Sequence, residues 1–505
     1  MLRRTFLSTL ALSLADSLPG QQTPRFSKPV FTLGVASGDP LPNGVVLWTR
    51  LAPEPLAGGG MPNAPFTVDW AVARDDKMSN IVKKGKAVAP AELAHSVHVE
   101  VDGLEPDCEY WYQFRAGSEL SPIGRTRTAP APGAGLDRLA FAFASCQHFE
   151  TGYYTAYEHM VRDNLDLVVF LGDYIYEKEG RDGQPRRHTG PLLMTLTDYR
   201  NRYALYKGDA LLQKAHAHVP WIMTWDDHEV ANDYANDSEP HGMPRVQFLE
   251  RRAAAYQAYY EHMPLRVGSK PRGTAMQMYR TVQYGSFASF FVLDTRQYRN
   301  RQPCGGSGTK PQCAEALDPH RTIMGEAQTR WLLHGLEKSP ARWNIIANQV
   351  IFSPVDFQPG PEIGMPMDKW SGYEASRRTV LDFLAKRRPS NPVIITGDVH
   401  SNWVFDVRED WRDPKSKNLA AEFVGTSISS SGDGMDKRSD TDRELSENPH
   451  LHFFNAQRGY VKCVVTPKLW RSDYRIVPYV SRPGAPVFTR ASFVIQEGIA
   501  GVHKA

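Results

Sequence analysis

An N-terminal β-sandwich followed by an α/β unit is the fold class this sequence predicts, on three observations. Short segments that alternate apolar and polar residues, separated by turn residues, fill residues 29–130. The Ala/Pro/Gly stretch "TAPAPGAGLD" at 128–137 follows and reads as a linker. From Leu139 onward the pattern changes to apolar strands alternating with helical stretches, which indicates an α/β unit over 138–505.

In the first unit "FTLGVASGDP", "GVVLWTRL", "FTVDWAVARD", "HSVHVEVDGL" and "YWYQFRAG" each read as a strand with one buried face. "VDGLEPDCEYWYQF" resembles the late strands of a fibronectin-type-III-like sandwich. In the second unit strands are expected at "LAFAFAS", "LDLVVFLGD", "WIMTWDD", "SFASFFVLD", "WNIIANQVIF", "NPVIITGD" and "LAAEFVG". Helices are expected at "TAYEHMVRD", "TDYRNRYALYKG", "LLQKAHAHV" and "RVQFLERRAAAYQAYYEHM". The segment 427–450, rich in Gly, Ser and charge, reads as a mobile surface loop.

A length of 505 residues fits two units, and 41% apolar with 23% charged residues is an ordinary globular balance. A net charge of +3 offers no reason to propose a nucleic acid or an acidic membrane as partner. The first 28 residues open with Arg3-Arg4, then Phe6-Leu7 and a modest apolar run, which resembles a twin-arginine export signal. That reading predicts passage through the twin-arginine export machinery and a periplasmic, cell-surface or secreted location. Of five cysteines, Cys304 and Cys313 lie in the Gly-rich "PCGGSGTKPQC", where export would permit a short disulfide loop. Cys108 and Cys463 read as buried thiols.

Several predicted strands end in side chains of the metal-ligating type. "FAFASC" ends at Cys146, "VVFLGDYIY" at Asp173 and Tyr176, "WIMTWDDHE" at Asp226, Asp227 and His228, "IIANQ" at Asn348, and "VIITGDVH" at Asp398 and His400. Ligands of α/β sheets sit beyond the carboxyl ends of the strands, so these ends are expected to converge on one site. Each residue alone has an ordinary explanation. Asp173 caps a turn, Cys146 fills a core and Tyr176 packs. Five ends in order need a common one. Thiolate, phenolate, imidazole and carboxylate donors suit ferric iron, and a set rich in Asp and Asn oxygens suits calcium.

Together "FASCQ", "LGDYIYE", "TWDDHEVANDY", "ANQV" and "TGDVHSNW" resemble the PhoD-type alkaline phosphatases and phosphodiesterases, within the calcineurin-like metallophosphatases. "GVASGDPLPNGVVLWTRL" and "NPHLHFFNAQRGYV" extend the resemblance to both ends of the mature chain. The wider superfamily has G-D-x-x-Y, G-N-H-E and G-H-x-H. Here the second and third blocks read D-D-H-E and G-D-V-H, which exchanges nitrogen donors for oxygen and favours a hard cation.

The resemblance implies a metallophosphatase αββα sandwich holding one Fe3+ and one or two Ca2+. Asp173 would bridge the metals. Cys146, Tyr176 and His400 would take the iron side, and Asp227, Asn348 and Asp398 the calcium side. Asp226 and Asn232 are further oxygen candidates, and His228 is the candidate acid or phosphate-orienting group. Arg296 in "LDTRQYR" and Arg458 in "NAQRGY" are the candidate phosphate-binding residues. The implied reaction is in-line attack on phosphate mono- or diesters by a metal-activated oxygen nucleophile. Phospholipid and teichoic-type polymers are further substrates this reading admits. Three alternatives stand beside it: a phospholipase-D-like phosphodiesterase on the same scaffold, an exported binding protein with a dead catalytic unit, and a metal-dependent nuclease, which would need a basic groove that the modest net charge does not support.

Overall fold

The computed structural model describes residues 26–505, so the arginine pair and the apolar run of the export signal lie outside the described residues. Two large sheets dominate. The first has ten strands, in the order His503–Lys504, Phe488–Gln496, Leu469–Val477, Arg458–Val465, Leu139–Ala144, Leu167–Leu171, Trp221–Thr224, Val35–Leu41, Gly44–Arg50 and Ser96–Val101. The second has seven, in the order Arg280–Tyr284, Ala288–Val292, Trp343–Ala347, Pro392–Thr396, Asn418–Val424, Asn402–Arg408 and Leu451–Asn455.

The central strands of both sheets are parallel and nearly all apolar. Leu139–Ala144, Leu167–Leu171 and Trp221–Thr224 run parallel in one sheet. Ala288–Val292, Trp343–Ala347, Pro392–Thr396 and Asn418–Val424 do so in the other. Continuous apolar runs such as "LAFAFA" and "LVVFL" are what strands covered on both faces require. Phe141, Phe143, Val169 and Ile222 of the first sheet share a core with Phe290, Ile345, Val393 and Phe423 of the second. Helices cover the outer faces. Leu196–Lys207, Ala210–His218 and Arg245–His262 pack on the first sheet, and Gly325–Lys338 with Glu374–Arg387 on the second. The helix starts are written locally. Thr195 and Asp198 form a reciprocal capping box, and the Asp209 carboxylate accepts from the backbone of Leu211 and Leu212.

The linker does not separate two independent bodies of strands. Val35–Leu41 pairs in parallel with Trp221–Thr224, so the ten-stranded sheet runs through both units. Its Gly44–Arg50 and Ser96–Val101 end packs on a smaller sheet built from Phe66–Ala73, Ile81–Ala89 and Glu109–Ala116. Asp39 receives Arg280 in a two-pronged ion pair at 2.7 and 3.0 Å, and the Trp48 indole donates to the Glu261 carbonyl. The strand Ile81–Ala89, "IVKKGKAVA", went unread because its lysines and glycine mask the alternation. As an edge strand it uses those lysines to deter pairing with other chains.

Residues 427–450 depart from the surface-loop expectation. Ser427 to Ser430 are buried, and Thr441–Glu447 is helical. The serines sink inward because their hydroxyls find partners at the strand ends described below.

Gly38 sits where the two units join. A methyl group there would lie 2.4 Å from the Pro264 carbonyl oxygen and 2.8 Å from that of Trp221. The Gly38→Ala variant is therefore expected to lose about 1–3 kcal/mol of stability through overpacking, read by chemical denaturation.

Candidate metal centre

Because the central strands are parallel, their carboxyl ends lie on one side, and chain leaving six of them reaches the same place. The backbone bends sharply there. Cys146, Asp173, Asp398 and His400 all have left-handed φ values, between 54° and 69°. Such a conformation costs a non-glycine residue about 1–3 kcal/mol and persists only where surrounding contacts over-determine it. Gly172 shows why the approach is close. A Cβ on it would lie 2.4 Å from the Asp226 nitrogen, and its φ is +109°. The Glu229 carboxylate stitches two of these loops together by accepting from the backbone N–H groups of Asp173, Tyr174 and Asp226 at 3.2, 2.5 and 2.9 Å. Burial pushes its carboxyl up to about 7.

Two groups of donors meet at Asp173. Cys146, Asp173 and His400 form one, and Asp173, Asp227 and His228 the other, each with ligand atoms within 4.8 Å of one another. Tyr176 joins the first group. Its hydroxyl donates to Asp173 Oδ2 at 2.9 Å, lies 3.2 Å from His400 Nε2, and stands 2.7 Å from the Ser430 hydroxyl. Asp398 and Asn348 leave neighbouring strands of the second sheet. Asn348 is buried, with its amide oxygen accepting from the Trp370 indole and its amide nitrogen donating to the Val350 carbonyl. The Asn232 side chain is half-buried, and its backbone N–H donates to Glu177.

The electrostatics of this cluster favour a cation. Asp173 is 2% exposed, and its Oδ1 has no hydrogen-bond partner. Burial raises its carboxyl well above the usual range. His228 offsets this in part, while Asp227, Asp226 and Glu229 add repulsion. The Cys146 thiol and the Tyr176 phenol are likewise driven up, first by burial and then by Asp173. Four potential anions thus crowd one dry space, with an orphaned oxygen aimed into it. A hard cation relieves both the desolvation and the repulsion, so this donor set fits a metal ion. A third group, His148, Glu150 and His188, does not. The ring nitrogens of His188 are engaged by the Lys178 carbonyl and the Tyr206 hydroxyl, and Glu150 accepts from the N–H groups of Arg181 and His188.

His228 faces the second group. Its Nδ1 is 2.6 Å from Glu177 Oε2. Burial disfavours the imidazolium, but Glu177, Asp173 and Asp227 outweigh it and raise the His228 pKa well above normal.

The two phosphate-binding candidates, Arg296 and Arg458, are both buried at strand ends. Arg296 is fully buried and spends its guanidinium on Asp226 and Asp368, at 2.5–3.2 Å. Arg458 is buried too, and donates to the His400 carbonyl, the Ser427 hydroxyl and the Ala456 carbonyl. Both brace strand ends. The terminal nitrogens of both are engaged by carbonyl, hydroxyl and carboxylate oxygens, and the Nε of Arg458 is buried without a partner. Asp226 serves Arg296 as counter-ion. Cys304 and Cys313 are joined in a disulfide.

Sequence reasoning missed Glu177, Glu229, Asp368, Lys369 and Ser430. The first two lie inside the quoted blocks and were legible as buried carboxylates beside the nominated ones. Asp368 and Lys369 belong to "MPMDKW", a segment with no ligand pattern, and reach the site only through the fold.

Replacing Arg296 with Met leaves Asp226 and Asp368 buried beside a lost partner. The expected cost is about 3–5 kcal/mol in urea unfolding. A rim arginine that served only substrate would leave the unfolding midpoint at the wild-type value.

Residues 141–474 match the PhoD-like phosphatase family model, and residues 15–130 match the model of the PhoD-like phosphatase N-terminal domain. The chain is 52% identical over 504 residues to alkaline phosphatase D of Bacillus subtilis (strain 168), covering 98% of this chain and 86% of that protein. A solved structure titled "Structure of PhoD" superposes with a TM-score of 0.94 at 53% identity, over 95% of this chain and 93% of that one. The chain belongs to the PhoD-like phosphatase family.

Proposed function

We propose that this phosphatase-family hydrolase is an exported, metal-dependent phosphoesterase whose centre holds one Fe3+ with Ca2+ beside it. The observation that carries the reading is the sharing of Asp173 between two donor groups. A carboxylate with one orphaned oxygen between a thiol–imidazole–phenol group and a second carboxylate, Asp227, suits a place shared by a ferric ion and a harder, oxygen-preferring ion. Cys146, Tyr176 and His400 would hold the iron, and Asp227, Asn348 and Asp398 the calcium, with Asn232 in reach of the same side. Helices outside two facing sheets support the metallophosphatase sandwich. The opening strands support a fibronectin-like sandwich that has one layer in common with it. Export rests on the twin-arginine pattern and suits a protein that loads its metals before leaving the cell.

Metal ions in such a centre lower the pKa of bound water and neutralise phosphoryl charge. The chain's own residues do the rest. His228, held protonated by Glu177, donates to the leaving-group oxygen of the ester. Glu177 fixes the imidazole so that Nε2 is the atom left to face substrate. Ser430 orients the Tyr176 hydroxyl, and Glu229 holds the loops of Asp173 and Asp226 at fixed separation.

The reading is tested by metal analysis and a visible spectrum of purified protein. About one iron per chain and a charge-transfer band are expected, with the band lost or displaced in Cys146→Ala and Tyr176→Phe. Chelation should abolish ester hydrolysis, and added calcium should restore it. Iron-free, bandless protein that still turns over esters would refute the ferric assignment. A second expectation concerns pH. Because Glu177 raises the His228 pKa, Glu177→Gln lowers it. The protonated acid is then lost earlier as pH rises, and the alkaline limb of kcat/KM moves to lower pH. An alkaline limb at the wild-type position would remove His228 from the acid role.

A further inference from the structure

We infer that Lys369 is the cation that meets the phosphoryl oxygens of the substrate. The inference rests on the phosphoesterase reading above and assigns the anchor that the two arginines cannot provide.

The cations bordering the cluster differ in what they have left to give. Arg296 and Arg299 are fully buried, and both are held by Asp368. Arg458 is buried, its terminal nitrogens are engaged by carbonyl and hydroxyl oxygens, and its unpartnered Nε is closed off from solvent. Lys369 differs. Its side chain is 16% exposed, its ammonium pairs with Asp398, and it lies 3.6 Å from Asp368 Oδ2. An ammonium has three N–H donors, so these two carboxylates leave one unclaimed. Other members of the cluster also reach solvent, among them His228, 13% exposed at the side chain, and Asp398, 12% exposed. His400 is half-buried on the same strand end. An ester approaching from solvent therefore meets the proposed acid, a proposed metal-side carboxylate and one ammonium with a donor free.

The chemistry suits the task. A lysine ammonium is a compact point charge on a flexible stem and serves phosphate without demanding planar, two-pronged geometry. Here Asp398 neutralises it. With Asp398 committed to a metal ion, the ammonium would be left to face the phosphoryl oxygens. Arginines locked into the strand ends are unable to make that exchange.

The test compares wild type with Lys369→Met and Lys369→Arg, using p-nitrophenyl phosphate as substrate and inorganic phosphate as inhibitor, with metal content measured on the same preparations. In the Met variant, KM and the phosphate inhibition constant should each rise about tenfold, with a smaller fall in kcat and metal content unchanged. The Arg variant should recover part of the loss. An unchanged inhibition constant overturns the inference. So does a weakened one that tracks lost metal, since Lys369 would then only neutralise the carboxylates. Wild-type protein that hydrolyses no ester would defeat the phosphoesterase reading instead. Calorimetric titration of inorganic phosphate into wild type and Lys369→Met would still decide the role of the lysine.

Discussion

A buried carboxylate with an orphaned oxygen is the constraint on which the rest of this structure depends. Asp173 sits at the carboxyl end of a central strand, in a left-handed backbone conformation, between a thiol, a phenol, two imidazoles and a second carboxylate. No arrangement of protein groups alone makes that combination favourable, because each potential anion is desolvated and repels the others. The cluster makes physical sense as the protein half of a metal centre.

The surrounding architecture holds this cluster in place. Parallel strands bring the ligand-bearing ends to one side, and a shared apolar core between two sheets keeps those ends in register. Gly172 permits the closest approach between loops, and the Glu229 carboxylate binds three of their N–H groups. Arg296 ties Asp226 to Asp368, joining the end of one sheet to a loop over the other. The N-terminal strands add to the same sheet through Gly38 and Asp39, so they extend the catalytic scaffold as well as their own core.

Charge is divided within the site. The buried arginines are structural cations, each surrounded by acceptors. His228, Asp398, His400 and Lys369 keep contact with solvent. Glu177 belongs to both classes. It is buried and structural, yet its carboxylate raises the pKa of His228, the proposed acid.

The sequence by itself determined the fold class, most central strands and helices, and the residue types at each strand end. Those features are local: apolar runs, capping pairs and Gly-Asp turns are encoded in neighbouring residues, and "LGDYIY" or "TWDDHE" carries its chemistry within one segment. It also placed Cys304 and Cys313 in one short loop. What only the tertiary structure decided is which side chains meet and which remain free. Arg296 and Arg458 looked available in sequence because a guanidinium's partners are distant in the chain, and the fold spends both on strand ends. Lys369 showed no pattern because its loop comes from elsewhere and is brought over the centre by packing. Ser427 to Ser430 looked like surface loop because hydroxyls are polar, and the fold buries them where Ser430 donates to the Cys146 carbonyl and Ser427 accepts from Arg458, both distant in the chain. Contacts between residues hundreds of positions apart are set by how two sheets stack, and that stacking energy is spread over the whole apolar core.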